Sequence, residues 1–258
     1  MSRQPSPQMA QRNAALVPRS RELKAEPPCW GYRRIWASLH FVEPQPVNKK
    51  RLVRLLREQQ PLVTPDRRVR AKRPPTGKKP RPTKPNAWWG LDMTQVLVEG
   101  VGWGDIVVVL DGYPKLIVGY DAGLPCTSPP WLAALERAGN RQFPRGVREQ
   151  GLALMSDHGG QPTSTAFMRA CRHLGIQPAF TRENNPKGKA DTERVIRTLK
   201  ETCLWLHEWT CPIPLARALE AGLADDNEHY WHSALGYKPP SPFERDSLIS
   251  HGTQFTAA

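Results

Sequence analysis

The chain has 258 residues, with 37 Lys and Arg against 24 Asp and Glu, a net charge of +13. A hydrophobic content of 39% is enough to bury a core and excludes disorder of the whole chain. The longest aliphatic run, Ile106-Val107-Val108-Val109-Leu110, falls far short of the roughly 20 residues that a membrane helix needs, so no span is expected.

Residues 1–28 carry no assignable element and lack the charged-then-apolar pattern of a signal peptide, which places the expected location in the cytoplasm. Residues 1–90 hold 21 Lys and Arg against 5 Asp and Glu, net +16, whereas residues 91–258 hold 16 against 19. A basic block beside a near-neutral remainder is the charge pattern of a nucleic-acid-binding arm joined to a globular domain, although a solvated basic surface has the same composition. Within the block, residues 31–40 and 48–60 read as helices, the second with Leu52, Leu55 and Leu56 on one face and Asn48 as its N-cap. Separated by Glu43-Pro44-Gln45-Pro46, they suggest a helix-turn-helix-like DNA-binding segment over 29–60, or a plain helical hairpin. Arg33, Arg34, Lys49, Lys50, Arg51 and Arg54 are its candidate DNA contacts. Residues 61–87 hold seven prolines and nine Lys or Arg with one acid, a linker composition suited to a phosphate backbone.

From Trp88 the texture changes to short apolar strands, expected at 89–98, 103–110, 115–121, 152–156 and 177–181. Helices are expected at 130–142, 164–174, 188–207 and 214–230. Three consecutive strands followed by alternating helices and strands predict an α/β domain with a mixed sheet covered by helices. The core is assigned to 88–210 and a C-terminal helical tail to 211–258.

Three acids occupy positions that a site could gather. Asp92 lies on the first strand, Asp157 follows the run Leu152-Ala153-Leu154-Met155-Ser156 where a strand gives way to a turn, and Glu193 falls in the following helix. Carboxylates without a histidine triad suit hard, oxygen-loving cations. Two such ions promote in-line phosphoryl transfer. Spacing alone does not select this triple among many, and helix caps or surface ion pairs use the same residues. On the last helix Lys189, Glu193, Arg197 and Lys200 form one stripe, with Val195, Leu199 and Leu206 on a face suited to the core. Ordinary i,i+4 pairing of Glu193 with Lys189 and Arg197 is the alternative. Asp111, at a strand end, is the rival for Asp92.

The segments Trp88-Trp89-Gly90-Leu91-Asp92-Met93-Thr94, Ser156-Asp157-His158-Gly159 and Asn185-Pro186-Lys187-Gly188-Lys189-Ala190-Asp191-Thr192-Glu193-Arg194 resemble the three signatures of the integrase-core DDE transposases. With His232-Ser233-Ala234-Leu235-Gly236-Tyr237-Lys238-Pro239-Pro240 and Phe243-Glu244, the match is closest to the OrfB-type transposases of the IS-three family of bacterial insertion sequences. The resemblance implies an RNase H-like fold, with Asp92, Asp157 and Glu193 as catalytic ligands of two Mg²⁺ ions, Mn²⁺ serving as substitute. It implies nicking at terminal inverted repeats and strand transfer by the freed 3′-hydroxyl. Lys189, Arg197 and Lys200 would then hold phosphates beside the metals. Implied partners are terminal-repeat and target DNA, further copies of the chain on paired ends, and an upstream OrfA-type product, since no sustained heptads appear.

The chain departs from the family pattern at His158, usually Asn, at Gly112, usually aromatic, and over 221–226, where Trp and Tyr are usual. The last two changes predict lost aromatic burial. A catalytically decayed copy acting only as a DNA-binding protein is the competing reading. The five cysteines form no Cys-x-x-Cys pair, so no disulfide framework is expected; Cys203, His207 and Cys211 share a helical spacing that could present metal ligands, with structural cysteines the plainer reading. Trp205, Trp209, Tyr230 and Trp231 read as core or subunit-contact aromatics.

Overall fold

The computed structural model describes residues 7–25, 30–43, 47–59, 82–123, 130–157, 160, 162–180 and 190–255. It divides into two compact units, 1–77 and 78–258. In the first, α1 (Pro7–Ala25), α2 (Tyr32–Phe41) and α3 (Lys49–Gln59) pack around Leu16, Ile35, Leu39, Val47, Leu52, Leu55 and Leu56. The leucines of α3 bury as their spacing requires, and the Asn48 side chain accepts the Lys50 N–H at 2.8 Å as an N-cap does. Helix α1 falls where the sequence suggested no element. Its apolar residues are poorly segregated and Pro18 lies inside it. Tertiary contact supplies what local pattern lacks: Leu16 is buried among the other two helices, and Arg19 bonds Glu43 at 2.7 Å. The turn residues 44–46 and most of the linker, 60–81, lie outside the described residues.

The second unit is a five-stranded mixed sheet in the order β3-β2-β1-β4-β5. Strands β1 (Trp88–Val98), β2 (Gly102–Asp111) and β3 (Ile117–Gly123) form an antiparallel meander, while β4 (Ala153–Ser156) and β5 (Gln177–Phe180) run parallel to β1. This is the RNase H-like arrangement. Parity along β1 sorts its side chains. Trp89 and Leu91 join Val107, Val109 and Leu154 beneath α4 (Pro130–Gln142) and α5 (Thr165–Leu174), whereas Val96 and Val98 join Ile106, Val108 and Leu110 on the opposite face. That second face is covered by α6 (Ala190–Thr202) through Val195, Ile196 and Leu199, and by α7 (Pro212–His229) through Leu215, Leu219 and Leu223. Asn227 of α7 pairs with both backbone groups of Ile117, at 2.8 and 3.0 Å, and so extends the hydrogen bonding of β3 into the helix layer.

One expectation is corrected here. The helix expected over 188–207 ends at Thr202, a 3₁₀ turn over Leu204–Leu206 follows, and Leu206 is exposed rather than packed. Within the region expected as a helical tail, a last helix α8 (Pro240–Phe255) follows α7; periodicity does not mark its bounds, because its apolar residues do not gather on one face. The loss of an aromatic after Asp111 is compensated: the Trp88 ring lies where a side chain at position 112 would project, 2.4 Å from an added Cβ.

Helix α6 approaches β1 so closely that a Cβ at Gly90 would stand 2.2 Å from the Thr192 hydroxyl oxygen. Thr192 is fully buried and has little freedom to yield. Replacing Gly90 with Ala is therefore expected to destabilise the chain by about 1–3 kcal/mol, the usual cost of overpacking, measured by chemical denaturation.

Candidate active site on the sheet

Asp92 shares the Gly90 parity on β1, so it faces the α6 layer and stands level with Val108 of β2. It is partly buried, and its Oδ1 accepts the Met93 N–H at 3.0 Å. In the parallel pairing of β1 with β4, Gly90 stands beside Met155. Asp92 lies two residues further along β1, and Asp157 lies two residues after Met155, just past the end of β4. Ser156 is buried. The register thus sets the end of β4, where Asp157 follows, alongside β1.

Glu193 lies in the first turn of α6, exposed, one residue after the Thr192 that seats the helix on Gly90. Among the described residues no three His, Cys, Asp or Glu side chains stand as a set that could hold a metal ion. Asp92 thus lies within β1, Asp157 just past β4 and Glu193 on the exposed first turn of α6, and the three form no closed ligand set. Around this place Thr94 Oγ1 and Thr192 Oγ1 are buried without a hydrogen-bond partner. All-oxygen donors beside orphaned hydroxyls fit a hydrated hard cation, which binds through one or two carboxylates and retains water.

Asp111, the rival, has another occupation. It is fully buried, and its two oxygens accept the backbone N–H groups of Asn86 (2.6 Å) and Tyr113 (2.8 Å). Burial raises its pKa to about 7, against the lowering by those two hydrogen bonds. It closes the turn after β2 rather than facing α6.

The other candidates are dispersed. Lys189 and His158 lie outside the described residues. Arg197 pairs with Glu201 at 2.8 Å, and Lys200 stands 6.0 Å from the Trp205 ring centroid. In the first unit, Arg33 lies over the Tyr32 ring, Lys49 sits 3.9 Å from the Trp36 centroid, and Arg54 is 3.9 Å from Glu58. Arg34 is half-buried and Lys50 exposed. Arg51 gives two hydrogen bonds to Asn13 Oδ1, which commits it to holding α1. Cys203, His207 and Cys211 share no helix face, since α6 has ended before them and Cys203 is buried in the core. Trp209 and Tyr230 are buried as expected, but Trp205 is 68% exposed. Sequence reasoning missed Lys115, whose Nζ bonds Asp191 Oδ2 at 2.9 Å; its only sequence signal is its place in the turn after Asp111.

Residues 82–186 match the integrase core domain family. The chain is 25% identical over 241 residues to the Escherichia coli transposase InsD of insertion element IS2A/D/F/H/I/K, covering 85% of this chain and 75% of the relative. InsD of element IS2-9 from strain K12 is equally similar, with 73% of its length covered. Among solved structures, the simian T-cell lymphotropic virus intasome in complex with PP2A regulatory subunit B56 gamma aligns at TM-score 0.55 and 20% identity, over 87% of this chain and 74% of that one. The chain carries an integrase core domain in an RNase H-like fold and is a homologue of insertion-sequence transposases. It is of the polynucleotidyl transferase class, and the IS-three family is consistent with these matches.

The environment of Asp111 has a consequence for pH. With its folded pKa raised from 3.8 to about 7, the folded state holds a proton that the unfolded chain releases. The stabilisation is full below about pH 4 and is lost as pH rises through about 7. The stability of the unaltered chain relative to Asp111→Asn is expected to fall across that window, by about 4 kcal/mol in the limit of the full shift, as measured by urea denaturation at several pH values.

Proposed function

We propose that this chain is the DDE transposase of an insertion sequence, nicking DNA at terminal inverted repeats and joining the freed 3′-hydroxyl to target DNA. The observation that supports the reading is the register of Gly90 beside Met155, two residues before Asp92 and Asp157 respectively, together with the seating of α6, which carries Glu193 in its first turn, against Gly90. These three carboxylates would hold two Mg²⁺ ions, or Mn²⁺ in their place. The ions supply activation of the attacking oxygen and stabilisation of the leaving one. The chain's own part in this reading is to hold one carboxylate on β1, one just past β4 and a third on the first turn of α6. Arg197 and Lys200 of α6, and Lys189 before it in the sequence, would fix the DNA backbone by its phosphates without reading bases.

The basic helices over 29–60 and the linker over 61–87 form the DNA-holding arm in this reading, through Arg33, Arg34, Lys49, Lys50 and Arg54. Arg51 contributes to the arm by fixing α1. Copies of the chain acting on paired ends, an upstream OrfA-type partner and a cytoplasmic location complete the proposal. Among the described residues no helix is long and apolar enough to cross a membrane.

Nicking of supercoiled plasmid with Mg²⁺ or Mn²⁺ tests the assignment. Asp92→Asn, Asp157→Asn and Glu193→Gln are each expected to slow nicking by about 10³-fold or more, the equivalent of several kcal/mol, with DNA affinity unchanged. Loss of DNA binding in all three would sink it. An inert unaltered chain revived by His158→Asn would instead favour the decayed, binding-only reading.

The salt dependence of DNA binding tests the arm. Affinity of the full chain is expected to fall linearly on a log–log plot against salt, and Lys50→Ala with Arg54→Ala to lower the slope by about 2. A slope unchanged by the pair would remove these residues from the interface.

A further inference from the structure

Lys115 occupies the turn between β2 and β3 with φ of +59°, a left-handed conformation that costs a lysine more than a glycine. Its side chain accounts for its presence. Nζ donates to the Gly112 carbonyl within the turn and, at 2.9 Å, to Asp191 Oδ2 in the first turn of α6. The two side chains are only 15% and 19% exposed, so the pair is much less screened than a surface ion pair. It ties the turn to a residue two positions before Glu193.

The turn is itself anchored away from α6. Asp111 accepts the N–H groups of Asn86 and Tyr113. The Tyr113 ring packs against Phe243 of α8 at 5.5 Å, and the Asn86 side chain donates to Gln142 Oε1 of α4 at 3.1 Å. Lys115 therefore extends from a fixed support. Helix α6 is also held by Val195, Ile196 and Leu199, whose apolar contacts are non-directional, by Thr192 against Gly90, and further along by Thr198, hydrogen-bonded to the Tyr230 hydroxyl at 3.1 Å. The ion pair gives its first turn a directional restraint from the β2–β3 side.

We propose that Lys115 is a positioning residue for Glu193, acting through Asp191 to fix the rotation and height of the first turn of α6 over Asp92 and Asp157. The functional part rests on the reading of Glu193 as catalytic. In this arrangement Phe243, part of the C-terminal signature, supports the active site from behind without touching it.

The test compares Lys115→Gly, Lys115→Arg, Asp191→Asn and Glu193→Gln in the full chain. Glycine suits the left-handed turn, so Lys115→Gly is expected to fold, with a thermal midpoint lowered by a few degrees as the relief of backbone strain offsets part of the lost ion pair. Its amide hydrogen exchange over 191–195 is expected to rise about tenfold, as loss of a local restraint allows. Its nicking rate at saturating DNA is expected to fall about 10²-fold with unchanged DNA affinity, as for a misplaced catalytic group. Asp191→Asn should behave alike, and Lys115→Arg should recover most of the rate.

Unchanged exchange over 191–195 overturns the proposal. So does intact nicking in Lys115→Gly where Glu193→Gln has lost it. A thermal midpoint that falls well beyond those few degrees together with activity, and is not recovered by Lys115→Arg, reduces the contact to general stabilisation, and also overturns it. If Glu193→Gln still nicks, the catalytic reading fails separately, and the exchange pattern alone decides whether Lys115 holds the helix.

Discussion

Helix α6 reaches β1 because position 90 has no side chain, and the place of Glu193 depends on that approach. Thr192 lies against the Gly90 backbone. Glu193 follows on the helix edge, while Asp92 is two residues along the strand from Gly90 on the same face. A Cβ at position 90 would lift the helix start while leaving the sheet intact. The strand register does not depend on the helix: Gly90 stands beside Met155, two residues before Asp92 and Asp157 respectively.

The sheet carries apolar layers on both faces, and polar groups are buried mainly where the backbone needs partners. Asn227 closes β3, and Asp111 closes the turn after β2 at the cost of a raised pKa. From Asp111 a chain of contacts runs through Asn86 to Gln142, and through Tyr113 to Phe243. The C-terminal helix is thereby bound to the turn that carries Lys115. Buried polar networks of this kind specify geometry because each member costs stability if left unpaired.

Much of this was legible in the residues. Alternation and run length located the five strands within a few residues, and Leu52, Leu55 and Leu56 marked the buried face of α3. Helix α1 and the bounds of α8 were not legible, since neither helix segregates its apolar residues and each depends on partners distant in the chain. Leu206 was misplaced because periodicity cannot see where a helix stops when the break is a 3₁₀ turn without Gly or Pro. Trp205, expected as a core or subunit-contact aromatic, lies outside the core of the chain, because burial is set by what lies opposite, which composition does not record.

The sequence by itself determined the α/β order, the acidic candidates and the charge division between the first third and the remainder. These follow from local periodicity and side-chain chemistry, which need no third dimension. Only the tertiary structure decided that Asp111 serves the turn, that Arg51 holds α1, and that Gly112 makes room for Trp88. It alone joined Lys115 to Asp191 across 76 residues. Such pairings depend on which faces meet after folding, and strand order and helix approach, rather than spacing along the chain, decide that.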